Sequence, residues 1–133
     1  MSDTRRSKEN VATVSAAALL KAAGSGQGFD FYFETKINPG SGIGSSAASS
    51  AAAVVGVNAL LNDLFTIDQL LPFAMEGETL ASGSEHADNI APALFGGFIL
   101  IRSYNPIDII SLKYPENLLT RPGSPRSGAR SRR

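Results

Sequence analysis

Three glycines that alternate with other residues, followed by two serines, form the part of the sequence best suited to chemistry. They occupy residues 40–46, and an alanine-rich stretch that predicts a helix follows from Ser45. Glycine lets successive backbone N–H groups face one ligand, and the first N–H groups of a helix have no intrahelical acceptor. These groups also carry the positive end of the helix dipole. The segment therefore predicts an anion site, and phosphate is the expected ligand.

Two other interpretations of the glycine segment compete with a phosphate site. The segment could be a turn that only packs a strand onto a helix, but three alternating glycines that end in two serines favour phosphate. It has no lysine, so it is not a phosphate loop of the GxxxxGK[ST] type. The residues predicted to contact the nucleotide are Pro39, Gly40, Ser41, Gly42, Ile43, Gly44, Ser45, Ser46, Ala47 and Ala48.

The elements around this segment predict an α+β fold. Residues 11–23 are rich in alanine and leucine and predict a helix, whereas residues 29–37 alternate aromatic and polar side chains and predict a strand. Another helix is expected to open at Thr66, with Gln69 as its capping-box partner. Residues 95–102 and 107–112 are apolar and β-branched, which predicts two further strands joined by a turn.

Two motifs resemble those of a known enzyme superfamily. Residues 38–48 read N-P-G-S-G-I-G-S-S-A-A, which is similar to the central motif of the galactokinase, homoserine kinase, mevalonate kinase and phosphomevalonate kinase (GHMP) superfamily. Residues 82–98 read S-G-S-E-H-A-D-N-I-A-P-A-L-F-G-G-F, and this string resembles the homoserine kinases in particular. The resemblance implies part of an S5-domain-2-like N-terminal kinase domain, a mixed sheet with helices on one face.

The resemblance also implies roles for individual residues. Glu78 matches an acidic magnesium ligand, and Ser46 matches the hydroxyl that shares the ion. His86 matches a residue that contacts the amino-acid substrate. Asn89 matches a substrate-side position where mevalonate kinases have a catalytic aspartate. Because asparagine stands there in this sequence, no general base is expected. The expected catalytic residues are Glu78, Ser46 and Asn89. The alternatives are a solvated Glu78, a structural His86 and a turn-forming Asn89.

The implied reaction transfers the γ-phosphoryl group of ATP, with Mg²⁺, to the side-chain hydroxyl of L-homoserine in threonine biosynthesis. Another GHMP small-molecule kinase and an inactive, truncated nucleotide-binding product are the alternatives. Family members are about twice as long, so residues 1–117 are expected to be a partial ATP-binding domain without turnover of its own. Residues 118–133 are expected to be a disordered tail, because arginine, serine, glycine and proline dominate them.

Composition excludes several classes of function. The chain of 133 residues contains no cysteine and one histidine, which excludes a thiolate nucleophile and makes a multi-histidine metal site unexpected. Five of the twelve basic residues lie in residues 121–133, so the body is acidic and no nucleic-acid partner is expected. This tail is interpreted as a frameshift or annotation artefact in preference to a basic tail that contacts nucleic acid or membrane. No apolar run predicts a membrane span or a secretory signal, so a cytoplasmic protein is expected, and a homodimer is left open.

Overall fold

Helices account for most of the regular secondary structure in the described part of the chain. A computed structural model describes residues 10–34, 37, 42–83 and 86–119. Within these residues the helices are α1 (Val11–Ala22), α2 (Ser45–Leu60), α3 (Ile67–Ser82) and α4 (Ile90–Phe95), and the strands are β1 (Phe98–Tyr104) and β2 (Ile107–Leu112). This composition confirms the α+β class.

Two of the helices, α1 and α3, begin where a side chain takes part in a cap. Asn10 caps α1, because its Oδ1 accepts a hydrogen bond from the N–H of Ala12 at 3.0 Å. At the start of α3 the N–H of Thr66 donates to Oε1 of Gln69 at 2.9 Å, within the predicted capping box. α3 ends at Gly83, whose φ of 75° is the left-handed conformation that glycine adopts most readily.

The core lies where α1, α2 and α3 pack against one another, with α4 against α2 and α3. Small side chains such as Ala12, Ala47 and Ala74 are buried there together with larger ones such as Leu19 and Val54. Because small side chains keep the helix axes close, the backbones of the three helices approach each other. This close packing holds the start of α2 against the C-terminal half of α3.

The sheet consists of β1 and β2, which pair antiparallel with Leu100 opposite Ile110. Side chains on one face, including Ile99, Ile107 and Ile109, pack against the helical core. The strand predicted over residues 95–102 corresponds to β1, but it begins later than predicted, because Phe95 belongs to α4. A mixed sheet was expected, and within the described residues the sheet has two antiparallel strands and no parallel pair.

The prediction of a strand over residues 29–37 is wrong for residues 29–34, which the structure describes. Residues 29–34 form no helix or strand, although Phe29 and Phe31 pack against the core and Tyr32 is 91% exposed, as the alternation predicted. Phe33 is half exposed and stacks on Phe31. A strand needs an adjacent backbone for its hydrogen bonds, and no described segment pairs with this one. Residues 35, 36 and 38–41, and the predicted tail from residue 120, lie outside the described residues.

Candidate active site

The N-terminus of α2 presents backbone N–H groups. Gly44 is its N-cap, with φ 74° and ψ 41°, and the first intrahelical bond runs from the N–H of Ala48 to the carbonyl of Gly44 at 2.9 Å. The N–H groups of Ser45, Ser46 and Ala47 precede that bond, so they lack an intrahelical acceptor. No acidic residue lies in the first turn, and no side chain caps this end within the described residues. This end of the helix can therefore accept an anion.

Only part of the predicted phosphate loop can be checked against the structure. Gly42 has a φ of 76°, so the loop turns through a left-handed conformation just before Gly44. The side chain of Ile43 between them is half exposed. The predicted contacts at Pro39, Gly40 and Ser41 lie outside the described residues.

Ser46 and Glu78 meet across the contact between α2 and α3. The Oγ of Ser46 donates a hydrogen bond to Oε1 of Glu78 at 3.1 Å. Glu78 is only 9% exposed, which is unusual for a glutamate on a helix. The alternative of an ordinary solvated glutamate is therefore wrong. The two residues are 32 positions apart in sequence, so only the packing of the two helices brings them together.

Asn89 lies against the same end of α2. A Cβ built on Gly44 would lie 3.3 Å from Oδ1 and 3.4 Å from Cγ of Asn89. The N–H of Asn89 donates to Oδ1 of Asp88 at 3.1 Å, within the turn that precedes α4. His86 is exposed and lies three residues before Asn89 in the connection between α3 and α4. The structure thus brings Gly44, Ser46, Glu78 and Asn89 together, with His86 in an adjoining segment.

The donor set at this site suits a hard cation beside a phosphate group. A hydroxyl and a carboxylate, from Ser46 and Glu78, are oxygen ligands of the kind that Mg²⁺ prefers. Magnesium sites that handle nucleotides use one or two protein carboxylates, and phosphate oxygens and water supply the rest. Within the described residues no three of His, Cys, Asp or Glu form a cluster that could hold a metal without such help.

A groove along α2 was not predicted from the sequence. It has a volume of about 870 Å³ and lies between α2 and residues 29–34, with Ser45 and Ser46 among its lining residues and Leu60 at the far end of the helix. Its shape depends on how residues 29–34 lie against α2, and no local pattern of residues predicts that contact.

None of the helices in the described part of the chain has the length and apolar character needed to cross a membrane.

Comparisons with known proteins identify the family of this chain. Residues 10–97 match the GHMP kinases N terminal domain. A protein of Chlorobaculum tepidum named homoserine kinase is 53% identical over 89 residues, which cover 67% of this chain and 28% of that protein. A protein of the same name from Chlorobium phaeobacteroides is 44% identical over 120 residues, covering 86% of this chain and 38% of that protein.

A solved structure is similar as well. The crystal structure of homoserine kinase from Cytophaga hutchinsonii aligns with a TM-score of 0.80 at 48% identity. The alignment covers 84% of this chain and 35% of that one. The chain therefore spans well under half the length of these relatives.

Proposed function

This chain belongs to the GHMP kinase family, and we propose that it carries the ATP-phosphate and magnesium site of a homoserine kinase, which phosphorylates the hydroxyl of L-homoserine. The observation that carries the proposal is the hydrogen bond between Ser46 and Glu78 at the uncapped start of α2. A carboxylate held beside a helix N-terminus would repel a phosphate unless a cation lay between them. The pair therefore fits a nucleotide bound together with a metal ion.

In this proposal, the backbone at the start of α2 holds the phosphates of ATP. The N–H groups of Gly44, Ser45 and Ser46 donate to phosphate oxygens, and the helix dipole adds favourable potential. Such donors are fixed before the reaction, so they need no rearrangement as charge shifts among the phosphate oxygens. Binding of this kind positions the γ-phosphoryl group, and positioning contributes much of the catalysis in phosphoryl transfer.

Ser46 and Glu78 are proposed to hold Mg²⁺. When bound, the ion would neutralise charge on the β- and γ-phosphates. Glu78 supplies the negative charge that retains the cation, and its burial holds the carboxylate in one orientation. The hydroxyl of Ser46 already lies within hydrogen-bond distance of that carboxylate, so the two oxygens are close enough to bind one ion.

Asn89 is proposed to orient the substrate hydroxyl. An amide cannot accept a proton as a base does, so the hydroxyl proton would pass to the transferred phosphate or to solvent. The side chain of Asn89 lies beside Gly44, which places it next to the proposed phosphate site. His86, in the same connection, is proposed to contact the amino acid. Cytoplasmic localisation and a role in threonine biosynthesis belong to this proposal.

A chimeric enzyme tests the proposal. Residues 10–97 of this chain replace the matching segment of the Cytophaga hutchinsonii homoserine kinase, and ADP release is measured with ATP, Mg²⁺ and L-homoserine. The expected result is turnover that depends on L-homoserine and not on mevalonate or galactose. Turnover with one of the other two alcohols would favour a different GHMP kinase.

A matched control distinguishes a defective site from a poor junction. The same chimera with Glu78→Gln keeps the side-chain shape and removes the charge. It is expected to fold, to bind ATP with little strengthening by Mg²⁺, and to lose most of its turnover. A folded chimera that is inactive with every substrate, and whose ATP binding does not respond to Glu78→Gln, would refute the proposal.

A further inference from the structure

Three small residues, one from each large helix, meet directly beside the proposed metal site. They are Ser15 of α1, Ser50 of α2 and Gly77 of α3, and both serines are 0% exposed. Gly77 immediately precedes Glu78, and Ser50 lies one helical turn after Ser46. The contact between Gly77 and Ser50 therefore adjoins the hydrogen bond between Glu78 and Ser46 along the interface of α2 and α3.

There is no room for a side chain at Gly77. A Cβ added there would lie closer than 3.0 Å to three oxygens: Oγ of Ser15, the backbone carbonyl of Val11, and Oγ of Ser50, the last at 2.7 Å. Carbon atoms do not approach oxygen so closely without displacing it. The Cα–H bond that takes the place of the Cβ is instead directed at these oxygens, an arrangement that recurs where helices cross closely.

Two of these three oxygens are held in place. Oγ of Ser15 donates to the carbonyl of Ala74 at 3.3 Å, which ties α1 to α3 one turn before Gly77. Oγ of Ser50 is buried and has no hydrogen-bond partner within the described residues, so only the surrounding packing limits its rotation. The carbonyl of Val11 belongs to the backbone of α1 and cannot turn away as a side chain can.

We infer that Gly77 is a positioning residue for Glu78: its missing side chain lets α3 approach α1 and α2 closely enough to hold the carboxylate against Ser46. The inference rests on the proposed role of Glu78 and Ser46 in binding Mg²⁺. Alanine is a better helix former than glycine, so helix propensity alone gives no reason for glycine in the middle of α3. The steric requirement provides that reason.

Gly77→Ala should therefore move Glu78 away from Ser46 without unwinding α3. Magnesium demands nearly ideal octahedral geometry, so a small displacement of one ligand weakens it strongly. Changes in residues that orient metal ligands typically lower metal affinity about 10–100-fold. The backbone N–H groups at the start of α2 are untouched, so binding of metal-free ATP should change little.

The test uses the 133-residue chain and two readouts, both recorded below the melting temperature of each variant. The first is the nuclear Overhauser effect between the side chains of Ser46 and Glu78, which needs no ligand. The second is the ratio of ATP affinity in Mg²⁺ to ATP affinity in EDTA. Gly56→Ala is the matched control, because a Cβ there meets nothing within 4 Å.

The expected result is that Gly77→Ala loses the Overhauser contact and lowers the magnesium enhancement about tenfold or more, whereas Gly56→Ala changes neither. Ser50→Thr adds one methyl group at the same contact and should act in the same direction more weakly, which keeps the test decisive if Gly77→Ala does not fold. An unchanged contact in both Gly77→Ala and Ser50→Thr would overturn the inference. If the contact is lost but the magnesium enhancement is not, the positioning role stands and the proposed metal role of Glu78 is wrong.

Discussion

Gly44→Ala perturbs the proposed phosphate site with the smallest side chain. Gly44 has a φ of 74°, and an L-residue in the left-handed region costs about 1–2 kcal/mol. Alanine also restricts the unfolded chain, which returns about 0.4–1 kcal/mol. The net loss in the free energy of unfolding should be roughly 1 kcal/mol. The fold should survive that loss.

Gly24→Ala is the matched control for this backbone strain. Gly24 has a φ of 62°, and a Cβ there meets nothing within 4 Å, so its loss of stability should be similar. At Gly44, by contrast, the new methyl group would lie 3.3–3.4 Å from Asn89, beside the proposed phosphate site. ATP affinity should fall about tenfold, or 1.4 kcal/mol, in Gly44→Ala alone.

Urea unfolding followed by circular dichroism gives the stabilities, and isothermal titration calorimetry gives the ATP affinities. If both variants fold with similar stability and bind ATP equally well, Gly44 does not lie at a phosphate site. The same conclusion follows if Gly24→Ala weakens ATP binding as much as Gly44→Ala does.

Three further predictions concern stability and turnover. The side chain of Asn58 donates to the carbonyl of Phe65 at 2.9 Å and accepts from its N–H at 3.0 Å, so Asn58→Ala should cost about 1–3 kcal/mol in urea unfolding. A cost below that of an average surface substitution would contradict this. Arg102 and Asp108 form an ion pair whose side chains are 57% and 39% exposed, so Arg102→Ala should cost at most about 1 kcal/mol. A larger loss of stability would show that this pair contributes more than exposed ion pairs do. The 133-residue chain alone should release no ADP in response to L-homoserine, since phosphoryl transfer needs several groups held at once, and turnover near that of a longer relative would disprove this.

Sequence reasoning succeeded where the signal is local. The capping box at Thr66, the start of α2 at Ser45 and the β1–β2 hairpin all follow from residues within a few positions of each other. Asn10, the N-cap of α1, was missed, although its residue type is typical of that position.

Features that depend on distant contacts were less predictable. Residues 29–34 have the alternation of a strand, but pairing needs a second backbone, which the pattern cannot supply. The contact between Ser46 and Glu78 came from a family resemblance, because 32 residues separate them and no periodicity relates them. Gly77 was overlooked, yet a glycine within a predicted helix already suggests a close approach.

A calorimetric titration of ATP into the 133-residue chain in Mg²⁺ and in EDTA, repeated with Glu78→Gln, tests whether Ser46 and Glu78 hold a metal ion. We expect the parent chain to bind one ATP, and Mg²⁺ to strengthen that binding. Glu78→Gln should retain binding in EDTA and lose most of the strengthening, because only the charge at the proposed metal site is removed. Equal strengthening by Mg²⁺ in the parent and the variant, both folded, would contradict the claim that Ser46 and Glu78 hold the metal at the start of α2.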